Sequence, residues 1–191
     1  MKARLVLCSC LLSTVAAAAC VGPCHAAEWS IPMAGNAFRT VPGPGGSGFQ
    51  RDGTITWGDP ETVFSVYFHV DRPAELKLSI KAGTKAGRST LATSVGEKKF
   101  STVIEGAALA DRQIGHARVT KAGYVRVDFK GVKRTGDVYA AIDSLRVSSD
   151  TSGLAVDYVK TNKGNMFYWG RRGPSVHLRY EVPRGQKLRY A

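Results

Sequence analysis

The chain has 191 residues, 43% of them hydrophobic and 22% charged, the balance of a folded protein and not of a disordered one. Its 27 Lys and Arg against 15 Asp and Glu leave a net charge of +12. The cations come singly or as the pairs Lys98-Lys99, Lys133-Arg134 and Arg171-Arg172, which suits a solvated surface better than a dedicated polyanion site.

In chain order, the first feature is an export signal. Lys2 and Arg4 precede an apolar run over residues 5–19, the length of a signal-peptide core and too short to span a bilayer. Small residues offer cleavage before Ala27 or before Cys20, so residues 1–26 are assigned to the signal. Cys8, Cys10, Cys20 and Cys24 all lie at or before this boundary. The exported part then has no disulfide, no thiol nucleophile and no cysteine-based metal site. Cys20 has two readings: the lipidated first residue of a membrane-tethered protein, or part of an ordinary signal. A large aliphatic residue three places earlier is absent, which favours the second. No other segment is apolar enough to span a membrane. An exported protein, whether periplasmic, extracellular or at the cell surface, meets polysaccharides, envelope components and other exported proteins. Nucleotides and nucleic acid are poor candidates as partners.

Strand signals follow. Residues 37–41 form a first short candidate, and VPGPGGSG at residues 41–48 has to be an exposed loop. Phe64, Val66, Phe68 and Val70 alternate with Ser65, Tyr67 and His69, giving one apolar and one mixed face. Leu76, Leu78 and Ile80 repeat the pattern, and residues 91–95 and 99–104 continue it. Residues 107–113 supply at most a short turn of helix. Residues 116–119, then Val125, Val127 and Phe129 alternating with Tyr124, Arg126 and Asp128, and finally residues 139–147 complete the series. Turn signals separate these runs at about ten-residue spacing, the pattern of an all-β antiparallel sandwich. The small polar run at residues 148–153 reads as a linker. Residues 154–191 are too short to bury a core of their own. They form a short β-rich extension that packs back on the sandwich, stays mobile, or opens a second module.

Several stretches resemble one bacterial family, the domain of unknown function 5077: IPMAGNAF at residues 31–38, TITWGDPETVFSVYFHV at 54–70, PAELKLSIKA at 73–82 and KAGYVRVDFKGVKRTGDVYAAIDSLRV at 121–147. The spacing of Asn36, Trp57, Asp59-Pro60 and Tyr67 is its most distinctive part. The resemblance covers residues 28–150 and implies a secreted β-sandwich of the jelly-roll or carbohydrate-binding-module type. FYWGRRGPSVHLRYEVP at residues 167–183 resembles the start of a second module, the domain of unknown function 3472, so residues 154–191 are expected to be its truncated beginning.

Glycoside hydrolysis needs two carboxylates flanking the scissile bond. Asp59 and Glu61 stand close together, but Asp-Pro entering a strand is a turn whose carboxylate bonds its own backbone. The other carboxylates are scattered, Ser47 lacks a nucleophile elbow, and no catalytic residue is assigned. His69, His116 and His177 lie on three distant segments and make no transition-metal site. Structural calcium, held by loop carboxylates and carbonyls, stays open. Aromatics carry the remaining signal, because sugar sites pair an exposed ring with carboxylates, amides or Arg. Tyr67 and His69 project together from one strand, and Tyr124, Arg126 and Asp128 from another, because side chains two apart share a face. Trp57 and Asp59 are expected at the end of that face, with core filling as the alternative for Trp57. Whether the two groups meet depends on strand order, which the sequence leaves open. Trp169 and Arg171 in WGRRGP form a second aromatic–cation cluster, set against a plain edge turn. The expected function is non-catalytic recognition of a glycan through these side chains. The alternatives are a structural or protein-docking module of a larger envelope or glycan-processing system and, behind both, a glycoside hydrolase.

Overall fold

Alternating apolar and polar side chains make each long segment a strand with one face to bury. The computed structural model describes residues 26–45 and 48–159, and eleven strands run through these described residues. They are β1 (Ala27–Pro32), β2 (Ala37–Val41), β3 (Ile55–Trp57), β4 (Val63–Val70), β5 (Ala74–Gly83), β6 (Arg88–Val95), β7 (Lys98–Glu105), β8 (Ala110–Val119), β9 (Gly123–Arg134), β10 (Ala140–Ser149) and β11 (Val156–Asp157). All pair antiparallel, in two sheets.

One sheet, called here the β5 sheet, has the order β1-β10-β5-β8. β3 also pairs with β10, at Ala140 to Ile142, beyond the stretch that β1 occupies. β10 is therefore the hub of this sheet, with β1 and β3 end to end along one side and β5 along the other. The other, the β4 sheet, has the order β11-β4-β9-β6-β7. Here β4 carries β2 beside Val63 to Val66 and β11 beside His69 and Val70. The predicted sandwich is the observed one.

Its core joins the inner faces of both sheets. Phe64, Val66, Phe68, Leu76, Leu78, Ile80, Val125, Val127 and Phe129 are all buried. Each large side chain removed from water in this way contributes about 1.5–3 kcal/mol. Ile31, Ile55, Ile142 and Leu145 complete the layer from β1, β3 and β10.

Two segments differ from expectation. Residues 110–113, read as the end of a helical turn, open β8 instead. A register shift opposite Leu78 and Ser79 breaks the alternation there, and Arg112 occupies an inner-face position opposite Ile80. At this sheet edge its guanidinium escapes sideways to the Glu105 carbonyl. The linker read at residues 148–153 begins inside β10, where Ser149 is buried and donates to the Glu75 carbonyl at 2.8 Å. No helix among the described residues is long and apolar enough to cross a membrane. Residues 1–25 of the signal, with Cys20, and Ser47 and all but the first six residues of the 154–191 extension lie outside the described residues.

Candidate functional site

β4 and β9 are neighbours, and that settles what strand order left open. In register, Ser65 stands opposite Asp128, Tyr67 opposite Arg126, and His69 opposite Tyr124. Cross-strand partners share a face, and here it is the outer face of the β4 sheet, behind the buried Phe64, Val66 and Phe68. The two groups of side chains meet directly.

The patch is built as a network. Asp128 accepts from Arg126 Nε at 2.7 Å and from the Ser65 hydroxyl at 2.5 Å. Because the one Ser65 proton is spent on the carboxylate, Thr40 on β2 is the donor in its 2.7 Å contact with Ser65 Oγ. The Asp128 carboxylate, chiefly through this hydrogen bond, holds the Arg126 pKa above its ordinary value. The Arg126 guanidinium lies 5.9 Å from the Tyr67 ring centroid, and Phe38 meets the same ring edge-on at 5.8 Å. Tyr67 is thus clamped from two sides. His69 and Tyr124 pack edge to face at 5.2 Å, yet Tyr124 remains 82% exposed. An open groove of about 570 Å³ runs beside this end of the face, lined by Val95, Gly96, Lys121, Tyr124 and Arg126 among others.

Phe38, Thr40 and Ser65 were missed as members of the patch. Phe38 and Thr40 stand two apart on β2, the spacing that puts side chains on one face, but nothing local reveals that β2 pairs with β4.

Of the two residues expected at the end of the face, one turns inward and the other is held by its own turn. Trp57 is 5% exposed and belongs to the core, not to the end of the outer face. Its ring centroid lies 5.2 Å from Phe64 and 6.3 Å from Tyr139. The reason is register: Trp57 shares the inward side of β3 with buried Ile55. Asp59 is a turn carboxylate, taking the Thr62 amide and hydroxyl, both at 2.8 Å. Thr62 Oγ1 in turn accepts the Gly43 amide at 3.0 Å, and a Cβ on Gly43 would fall 1.7 Å from Asp59 Oδ1. The glycine-rich loop therefore folds directly onto this turn. Trp169 and Arg171 lie outside the described residues. Among the described residues, no group of three or more His, Cys, Asp or Glu could hold a metal ion.

The Asp59 turn makes a pH prediction. Burial raises its pKa, but the Thr62 hydrogen bonds outweigh that and set it below the ordinary 3.8. A carboxylate lowered by folding stabilises fully above its unfolded pKa, and this contribution is lost as pH falls through the folded value. Asp59→Asn is expected to be about 1–2 kcal/mol less stable than wild type at neutral pH. In urea melts the gap should shrink below about pH 4. A gap that persists unchanged at pH 2 would contradict this assignment.

Comparison with known proteins places the chain. Solved structures with a similar backbone include the CBM35 of Cellvibrio japonicus Abf62, at 15% identity and a TM-score of 0.49 over 71% of this chain and all of that one. The Xyl-CBM35 in complex with a glucuronic acid-containing disaccharide follows at 14% identity and 0.46, over 66% of this chain and 94% of that one. The GH26-CBM35 β-(1,4)-mannanase of Podospora anserina stands at 12% identity and 0.48, over 63% of this chain and only 27% of the enzyme. Likenesses this distant carry no functional argument, and the fold rests on the strand pairing itself. No curated protein matches the chain. The family model described as Domain of unknown function (DUF5077) matches residues 31–152, most of the two sheets, and the chain belongs to that family.

Proposed function

We propose that this protein is an exported, non-catalytic glycan-binding module whose ligand lies on the outer face of β4 and β9. Export is inferred from the basic and apolar start of the sequence and from the confinement of its cysteines to residues 8–24. The observation that carries the binding site is the pairing of an 82% exposed Tyr124 with a fixed Arg126–Asp128 ion pair at 2.7 Å. A pyranose ring presents an apolar C–H face and a rim of hydroxyls. Tyr124 offers the first a plane, while the Arg126 guanidinium and Asp128 carboxylate offer the second charged partners. Tyr67 is already clamped between Phe38 and Arg126, so little side-chain freedom remains to be lost on binding. Ser65 and Arg126 both bond Oδ1 of Asp128, which leaves Oδ2 for a sugar hydroxyl, and no second carboxylate stands across from Asp128 on β4. This supports recognition over hydrolysis.

Tyr124→Ala separates the two roles a ring can have. Exposed as it is, its removal should change stability by no more than about 0.5 kcal/mol. In affinity electrophoresis through gels containing plant and bacterial polysaccharides, it should weaken retention about thirtyfold, as loss of a central aromatic contact does. A folded Tyr124→Ala protein retained like wild type would remove the site from this face.

A further inference from the structure

The outer faces of the two sheets differ in how far their charge is paired. On the β5 sheet the cations are answered by carboxylates. Lys77 pairs with Asp150 at 2.7 Å, Arg118 with Glu75 at 3.6 Å, and Arg146 with both Glu28 and Asp111 at 3.0 and 3.2 Å. Lys81 stands opposite Asp111 in register. This is a self-neutralised surface.

On the β4 sheet, Lys130 and Lys133 follow Arg126 and Asp128 along the outer side of β9. Lys130 lies opposite Ala92, and Lys133 opposite Thr90. Lys99 on β7 lies opposite Ser94, whose other neighbour is Asp128. All three lysines are exposed, and among the described residues none has a carboxylate within ion-pair distance. The nearest acid in register, Asp128, bonds Arg126 and Ser65. The short side chains of Thr90, Ala92 and Ser94 leave the way open between the lysines. Beyond the Arg126–Asp128 pair, and apart from Arg88 paired with Glu105 at 2.8 Å at its far end, the face therefore carries three lysines that no carboxylate answers.

We propose that the ligand of this face is an acidic polysaccharide, one bearing uronate carboxylates, which stacks at Tyr124 and runs over Lys99, Lys130 and Lys133. The proposal rests on the glycan-binding reading and gives it a substrate class. Lys130 and Lys133 stand three residues apart on β9, across the register shift after Gly131, and Lys99 stands two strands away on β7. With neighbouring strands about 4.8 Å apart, the three meet charges spread along a chain and not a single anion. Each contact is a solvent-exposed charge pair, individually weak and screened by salt. Binding strength comes from their number.

The test compares polygalacturonate with its fully methyl-esterified form, the same backbone without the charge, in affinity gels with the full exported chain. Wild type should be retained by the acid form and about tenfold less by the ester, with the difference vanishing near 1 M salt, where the Debye length is about 3 Å. The triple variant Lys99→Gln/Lys130→Gln/Lys133→Gln should weaken binding of the acid form about tenfold. A control triple on the β5 sheet, Lys77→Gln/Lys81→Gln/Arg118→Gln, removes the same charge and should leave it within about twofold. Equal loss in both triples would overturn the proposal, since the attraction would then be diffuse. Equal retention by acid and ester, still abolished by Tyr124→Ala, would overturn the acidic class and leave the glycan face standing. Retention by neither polymer, with phosphatidylglycerol vesicles bound through the same lysines, would overturn it in favour of a membrane surface. Retention of the ester by folded Tyr124→Ala at the wild-type level would instead sink the underlying site.

Discussion

Phe64→Ala is expected to remove about 3–5 kcal/mol of stability, with a fall in Tm of more than about 10 °C. The size follows from where the ring sits. Phe64 has no exposed surface and belongs to β4, yet its closest ring partners arrive from outside that sheet. Trp57 on β3 lies at 5.2 Å, and Phe49 meets it edge-on at 5.6 Å. Its tip also approaches the Gly48 backbone so closely that a Cβ there would come within 2.5 Å of Cζ. One side chain therefore ties the β4 sheet, the β5 sheet and the end of the glycine-rich loop together. The indole Nε1 of Trp57 has no hydrogen-bond partner among the described residues, so no side-chain hydrogen bond described there takes over if the ring is removed. Urea denaturation measures the effect. A loss under about 1 kcal/mol would mean that the neighbours collapse into the vacated space.

Gly131→Ala should cost about 2–3 kcal/mol, a large penalty for one methyl group. A Cβ at this position of β9 would lie 2.4 Å from both Cγ and Cδ2 of Tyr139. These atoms are at the base of the ring, where rotation about the side-chain bonds gives little relief. Tyr139 itself is buried, with Trp57 on one side and the Arg134 guanidinium 5.4 Å from its centroid. Combining Gly131→Ala with Tyr139→Ala should be less damaging than the sum of the two, because the second change removes the obstacle. An additive double-mutant cycle would place the cost elsewhere.

The sequence carried these features unevenly, for physical reasons. β4 and β9 were legible because both alternate strictly, with apolar residues on one side and polar ones on the other. β8 was legible only in its second half, residues 116–119: as an edge strand it tolerates Arg112 facing inward, and its register shift slips the period midway. The candidate patch shows the same division. That Tyr67 and His69 share a face follows from the two-residue period, and so does the grouping of Tyr124, Arg126 and Asp128. Their meeting follows from β4 lying beside β9, a long-range pairing that no local pattern encodes. Trp57 had a local clue, since Ile55 two residues earlier is apolar and marks the inward side. A strand of three residues gives too short a run for that clue to stand out.

The central place of β10 in the β5 sheet has a consequence for the order of assembly. β1, at the amino-terminal end of the sandwich, finds its partner only in β10, the tenth of the eleven strands in the described residues, with Ala27 opposite Ser149. β3 and β5 wait for the same strand. Pairings this distant in sequence make folding slow, because the loop must close before the contact gives anything back. A chain interrupted before Ala140 would not hold a trimmed version of this sheet. β1 and β3 would have no strand to pair with, and the edge of β5 meant for β10 would be left open to other chains.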